Sequence, residues 1–206
     1  MLQAGQQRVW NINPLILTVD DFLSPQECTA LMSSSDEGMN RAAVVNSDGT
    51  RSISETRTNL AVSVAEEVAM PFKFKTGMLL RMPVTYAEPV QLLHYRVGNE
   101  FSAHLDGFPI GVDGEHAKAF ELSGGQRLFS TMIYLNEVVE GGGTSFPKLG
   151  ITIDARPGRL LVFANTMPGG REMTDLSQHS GDPVQKGEKW TAITWWRERE
   201  SALPTA

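Results

Sequence analysis

Cysteine is almost absent: Cys28 stands alone in 206 residues. A single thiol excludes an intrachain disulfide and any metal site built on several thiolates. Cys28 falls in a segment that reads as helix, where it serves as a small buried side chain. Long apolar runs are missing as well. No stretch approaches the roughly 20 residues that a membrane helix needs. The N-terminal MLQAGQQRVW lacks the basic-then-apolar pattern of a secretory signal. The expectation is a cytoplasmic protein with no membrane partner. Positive charge is not in excess either, since 18 Lys and Arg stand against 24 Asp and Glu, a net charge of -6. That balance argues against a dedicated nucleic-acid binder. Internal repeats and low-complexity tracts are absent.

What is present is an ordinary globular balance, 41% hydrophobic and 20% charged. The length suits one domain over 1–206. Residues 1–88 read as a mainly helical support layer. Asp20 to Met32 carries a helix start: Ser24 as N-cap, Pro25 at the first helical position and Glu27 completing a capping box. Leu23, Cys28, Leu31 and Met32 supply its apolar stripe. Residues 36–52 are polar and glycine-bearing, a loop or short edge hairpin. Ser63 to Leu80 reads as a second helix that Pro71 should split into two segments.

From Pro89 the texture changes. VQLLHY, RLFSTMIYL, TSFP, ITIDARPG, RLLVFAN and KWTAITWWRE are short runs rich in β-branched and aromatic residues, separated by Gly, Pro and Asn. The fold class expected is mainly β with N-terminal helices, residues 89–200 forming a double-stranded β-helix (jelly roll) core. Residues 107–125 make a long glycine-rich connection of the kind that is either a lid or mobile. The SALPTA tail is expected to fray.

The chemistry concentrates in His104-Leu105-Asp106, His179 and Lys189. In a strand, residues two apart share a face, so His104 and Asp106 can reach one ion. Two imidazoles and one carboxylate hold one face of an Fe(II) ion and leave the other open to cosubstrate and O2. A lysine shortly after the second histidine offers a cation to the far end of a dicarboxylic acid. Any lone His-x-Asp is more often a structural histidine, and a lysine more often solvated; Trp190 beside Lys189 in an apolar strand favours burial. His94 should point away from Tyr95, and His116 lies in the acidic 107–125 connection with Asp113, Glu115 and Glu121.

An ordered set of landmarks extends these residues: DFLSPQECTALM, LLHYRVGNEFSAHLDG, QRLFSTMIYLNEV, EGGGTSFP, RPGRLLVFAN and HSGDPVQKGEKWTAITWW. Together they resemble the prolyl 4-hydroxylase branch of the Fe(II)/2-oxoglutarate dioxygenases over nearly the whole chain. The resemblance implies that His104, Asp106 and His179 ligate iron. It implies that Lys189 pairs with the distal carboxylate of 2-oxoglutarate, helped by the Tyr95 and Thr144 hydroxyls. A buried dicarboxylate needs such a charge partner. O2 is the second cosubstrate, ascorbate the reductant, and succinate and CO2 the coproducts. Arg127 matches an arginine facing the substrate channel, and Trp195 a position near the iron.

Three positions depart from the family pattern. Asn59 follows Arg57 where serine is usual, Phe101 replaces a tyrosine, and Arg197 stands where histidine is common. All belong to the substrate half of the pattern, while the metal and cosubstrate half is intact. The expected activity is therefore hydroxylation of an unactivated C–H bond, on a peptide or protein proline. The alternatives are a free amino acid or other small molecule as substrate, or an inactive jelly-roll binding module. The sequence sets no oligomeric state.

Overall fold

The computed structural model describes residues 5–45, 51–53, 55–110, 121 and 123–200. In chain order the elements are β1 (Gln7–Ile12), β2 (Leu15–Val19), α1 (Pro25–Ser33), β3 (Asn40–Arg41), β4 (Ala43–Val45), β5 (Arg51–Ile53), β6 (Leu60–Ser63) and α2 (Glu66–Leu80). Then follow β7 (Gln91–Tyr95), β8 (Phe101–His104), β9 (Arg127–Tyr134), β10 (Glu140–Gly141), β11 (Thr144–Phe146) and β12 (Ile151–Ile153). The last are β13 (Leu160–Ala164), β14 (His179–Gly181), β15 (Val184–Lys186) and β16 (Lys189–Arg197).

Two antiparallel sheets position the site. The large one has the order β1-β2-β13-β9-β16-β7-β6-β3, and the small one β12-β11-β14-β8. The middle four strands of the large sheet, with the small sheet, make the expected jelly roll. Strand alternation divides the large sheet's residues between two cores. Leu92, Ile133, Leu160, Val162 and Ala192 face the helices, against Cys28, Leu31, Ala69 and Phe72. Their neighbours Leu93, Met132, Tyr134, Leu161, Phe163 and Ile193 pack with Phe146 and Ile153 of the small sheet. That second core holds the site.

The N-terminal part is less helical than expected. Strands β1 and β2 extend one edge of the large sheet, through β2 on β13, and β6 and β3 extend the other through β6 on β7. These strands are short, and β2 and β6 join the sheet through β13 and β7, far along the chain, so local pattern carries little of that information. Helix α1 starts as expected: the Ser24 side chain accepts from the Glu27 amide, and Glu27 reaches back to the Ser24 amide at 2.9 Å. Pro71 does not split α2, which runs unbroken through it. The proline withdraws one bond, to the Glu67 carbonyl, near the helix start. Burial of Ala69, Phe72, Thr76 and Gly77 holds the remainder. Gly77 is needed for that approach, since a Cβ there would lie 3.1 Å from the Trp196 ring. Where residues 36–52 were expected to form a loop or short edge hairpin, β4 and β5 pair antiparallel, Ala43 opposite Ile53. Residues 111–120 and 122, with His116, Asp113 and Glu115, lie outside the described residues, as does the tail. Among the described residues no helix is long and apolar enough to cross a membrane.

Candidate active site

Antiparallel pairing of β8 with β14 sets His104 directly opposite His179. Their ring centroids are 4.3 Å apart. Asp106 lies past the end of β8, in a bend, so strand parity does not bring it to His104 as the sequence suggested. Hydrogen bonds do: Ser130 Oγ donates to Asp106 Oδ2 at 2.6 Å, and Arg127 Nη1 donates to the Asp106 carbonyl at 3.3 Å. His104 Nε2 is 3.6 Å from Asp106 Oδ1, and His179 Nε2 is 3.6 Å from Asp106 Oδ2. One ligand atom from each residue lies within 4.8 Å of the others, a spacing that suits a single ion.

Both imidazoles are oriented through their other nitrogen. His104 Nδ1 meets the Ser102 carbonyl at 2.8 Å, and His179 Nδ1 the Ser177 carbonyl at 3.0 Å. A carbonyl only accepts, so each Nδ1 carries a hydrogen, and in the neutral ring the lone pair is then on Nε2, the nitrogen turned toward Asp106. Burial, and then the charge of His104, push the His179 imidazole down to about 4. Burial raises the Asp106 carboxyl, but the two imidazoles and Arg127 outweigh it and hold the group far below the carboxylate range. The donor set is a carboxylate and two imidazoles, which bind a divalent cation in their neutral form.

The large sheet supplies the opposite wall. Lys189 begins β16 opposite Tyr95 of β7. Its ammonium lies 4.8 Å over the Tyr95 ring and donates to the Gly143 carbonyl at 3.3 Å. Lys189 is 1% exposed, and burial brings its amine down to about 8. Among the described residues no carboxylate pairs with it. Gly141 and Gly142 take left-handed backbone, which turns the chain beneath Lys189 and delivers Thr144. Thr144 Oγ1 accepts from the Tyr134 hydroxyl at 2.7 Å, which leaves its own hydrogen to donate. Tyr95, pushed up to about 12 by burial, also keeps its phenolic hydrogen.

Between the triad and Lys189 lies a pocket. Its walls include all six of these predicted residues together with Trp195, Met132, Ile193 and Arg57. Trp195 Nε1 is buried with no hydrogen-bond partner among the described residues. Arg127 does not line the pocket. Its guanidinium lies 3.9 Å over the Trp195 ring and is paired with Glu88. At the departures, Phe101 stacks on His104 with centroids 3.6 Å apart, and Asn59 Oδ1 accepts from Arg57 Nε at 3.1 Å. Arg197 reaches Glu88, at 2.6 Å. His94 faces away from the pocket, as expected, stacked on Trp190. Sequence reasoning missed Ser130, Tyr134 and Glu88. Strand parity within RLFSTMIY could have placed Ser130 and Tyr134 on the inner face with Met132. Nothing local marks Glu88.

The model of the 2OG-Fe(II) oxygenase superfamily matches residues 90–197. Prolyl 4-hydroxylase 2 of Arabidopsis thaliana is 28% identical over 207 residues, covering 88% of this chain and 67% of that protein. Prolyl 4-hydroxylase 5 of the same plant is also 28% identical, covering 91% and 69%. The 2OG complex of a viral collagen prolyl hydroxylase from Paramecium bursaria Chlorella virus-1 is similar at a TM-score of 0.68. It is 26% identical and covers 87% of this chain and 94% of that one. A Trichoplax adhaerens prolyl hydroxylase, in complex with a hypoxia inducible factor peptide, shares the fold at a TM-score of 0.63 and 15% identity, with 89% and 83% covered. The matched segment carries the triad, Lys189, Tyr95 and Thr144, and the chain belongs to the 2OG-Fe(II) oxygenase superfamily, as a 2-oxoglutarate-dependent dioxygenase similar to prolyl 4-hydroxylases.

Proposed function

We propose that this dioxygenase hydroxylates proline in a peptide or protein, with iron held by His104, Asp106 and His179 and 2-oxoglutarate by Lys189, Tyr95 and Thr144. One observation carries the cosubstrate assignment: Lys189 is a buried cation with no paired carboxylate among the described residues, in the same pocket as the triad. A buried unpaired charge costs several kcal/mol, on the order of what a bound carboxylate would offset. A dicarboxylate with one end on the metal and the other on Lys189 meets both needs. The plant and viral relatives support proline as the target.

When bound, Fe(II) and 2-oxoglutarate supply the oxidising power, with O2 split between succinate and the hydroxylated product. The chain's own residues orient and enclose. Lys189 fixes the far carboxylate, and the Thr144 and Tyr95 hydroxyls add donors. The bond from Ser130 to Oδ2 holds the Asp106 carboxylate in place. Met132, Ile193 and Trp195 exclude water. The same reading takes 1–206 as one catalytic domain, because α1 and α2 share a core with β7, β9, β13 and β16.

A second reading, a free amino acid or other small molecule as substrate, is favoured by Asn59, Phe101 and Arg197. Mass spectrometry decides between them. With Fe(II), ascorbate and 2-oxoglutarate, proline-rich peptides should gain one oxygen, with succinate formed in step. Oxygen gained by free amino acids alone would sink the peptide reading. Succinate formation unchanged in His104→Ala would remove the metal assignment.

A further inference from the structure

Behind the Trp195 ring, three buried charges meet that take no part in the pocket wall. Glu88 leads into β7, Arg127 begins β9 and Arg197 ends β16. Arg127 donates from Nε and Nη2 to the two Glu88 carboxylate oxygens at 2.6 and 2.7 Å. Arg197 Nε lies 2.6 Å from Glu88 Oε1. We infer that Glu88, Arg127 and Arg197 form a positioning unit that presets Asp106 and Trp195, so that Arg127 serves the metal site and not the substrate.

The backbone of Glu88 is fixed on β16 from both sides. Its amide donates to the Trp195 carbonyl at 2.9 Å, and its carbonyl accepts from Thr194 Oγ1 at 2.7 Å. The carboxylate therefore has a set position from which to hold two guanidiniums. Burying three charges is costly, and an apolar cluster of the same size would be at least as stable. Their contacts give the retained charge a use. The third nitrogen of Arg127, Nη1, donates to the Asp106 carbonyl at 3.3 Å, and its flat face covers Trp195. Every nitrogen of Arg127 is thus engaged within the protein. Arg197 lies 4.8 Å over the Phe108 ring and donates from Nη1 to the Gly125 carbonyl at 2.5 Å. Adjacent Gln126 clamps Phe108, accepting from its amide at 2.8 Å and donating to its carbonyl at 2.7 Å.

Asp106 to Phe108 belongs to no strand. What holds it is this set of side chains at the start of β9, braced by Glu88 and Arg197. In this chain Arg197, a departure from the family pattern, supplies the second cation of the brace.

The inference rests on the reading that Asp106 ligates the metal, and Mn(II) binding separates the two. Mn(II) is titrated calorimetrically into wild type, His104→Ala, Glu88→Gln and Arg127→Lys. Residues that orient metal ligands cost about 10–100-fold in affinity when changed. Both cluster variants should bind Mn(II) about tenfold more weakly than wild type, with KM for 2-oxoglutarate unchanged because the Lys189 end is untouched. Wild-type Mn(II) affinity in the folded variants overturns the inference. So does a rise confined to the KM of the hydroxylated substrate, which would make Arg127 a substrate residue. If Glu88→Gln does not fold, Arg127→Lys decides, since it keeps the charge and loses the fork. Wild type that binds Mn(II) no better than His104→Ala would overturn the metal reading itself.

Discussion

The two sheets contribute to the pocket in different ways. On the large sheet, Tyr95, Lys189, Ile193 and Trp195 project from strands in continuous register, β16 being paired with β7 on one side and β9 on the other. Their placement is inherited from the backbone ladder. The strands of the small sheet have only three or four residues. There a single cross-strand pair sets His104 against His179, and Asp106 lies beyond the strand altogether. The metal end is held by side-chain bonds: the Ser102 and Ser177 carbonyls on the imidazoles, and Ser130 with Arg127 on Asp106. Changes to the residues that project around Lys189 should alter what binds. Changes to the side chains that hold the triad, Ser130 and Arg127 of β9 included, should alter how firmly the metal is held.

The severest test of that division is His179→Ala, which removes a metal donor outright. Succinate formation should fall to background, and turnover that persists would break the assignment. Lys189→Met comes next. Loss of a buried charge partner costs about 2–5 kcal/mol, so KM for 2-oxoglutarate should rise on the order of a hundredfold with Mn(II) affinity unchanged. The same variant has a second signature without ligand. Burial brings the Lys189 amine down to about 8, against an ordinary value of about 10.4. Within that window the unfolded chain holds a proton that the native chain has released. Wild-type stability should therefore rise with pH there, by roughly 3 kcal/mol in all. Denaturant unfolding at both ends of the window should show that rise in wild type and not in Lys189→Met. Equal slopes would mean that Lys189 is not an unmatched buried cation.

The same division separates what the sequence makes readable from what it hides. Ser24, Pro25 and Glu27 act within one helical turn, so the start of α1 is local information. Leu92 and Leu93 alternate between two cores because a strand has a period of two. Lys189 shows its burial through the apolar strand it begins. Asp106 is different: the spacing to His104 is right, but the reason lies in Ser130 and Arg127, and no local pattern joins them. Strands β2 and β6 are hidden because they join the sheet through β13 and β7, far along the chain. Pro71 was misread because propensity speaks for the helix alone, while Phe72 and Gly77 are held by the sheet. Glu88 had no signal, since its two arginines lie far along the chain.

A milder probe of the metal end is Ser130→Ala, on the large sheet's β9. It deletes the 2.6 Å bond to Asp106 Oδ2 and touches neither imidazole. Mn(II) affinity should weaken about tenfold, the lower range for a residue that orients a ligand. KM for 2-oxoglutarate should stay at its wild-type value. A change in KM with unaltered metal affinity would reverse the roles assigned to the two ends.

The smallest effect is expected far from the pocket, at the junction of β2 with β13. Arg159 donates to Asp20 at 2.5 Å from Nε and at 3.0 Å from Nη2. Those bonds hold the Asp20 carboxyl below its ordinary value. A lowered folded value means that the stabilisation is present above the unfolded carboxylate range and is lost as pH falls through the folded one. Asp20 is partly exposed, and solvent screens the pair, so Asp20→Asn should cost only about 1 kcal/mol at neutral pH. Denaturant unfolding should show that loss shrinking in acid. Mn(II) affinity should not move, because the outer edge of the large sheet bears on the metal only through the ladder. Weaker metal binding in Asp20→Asn would show that strand register reaches the triad after all, and the contrast between the two sheets would fail at its strongest point.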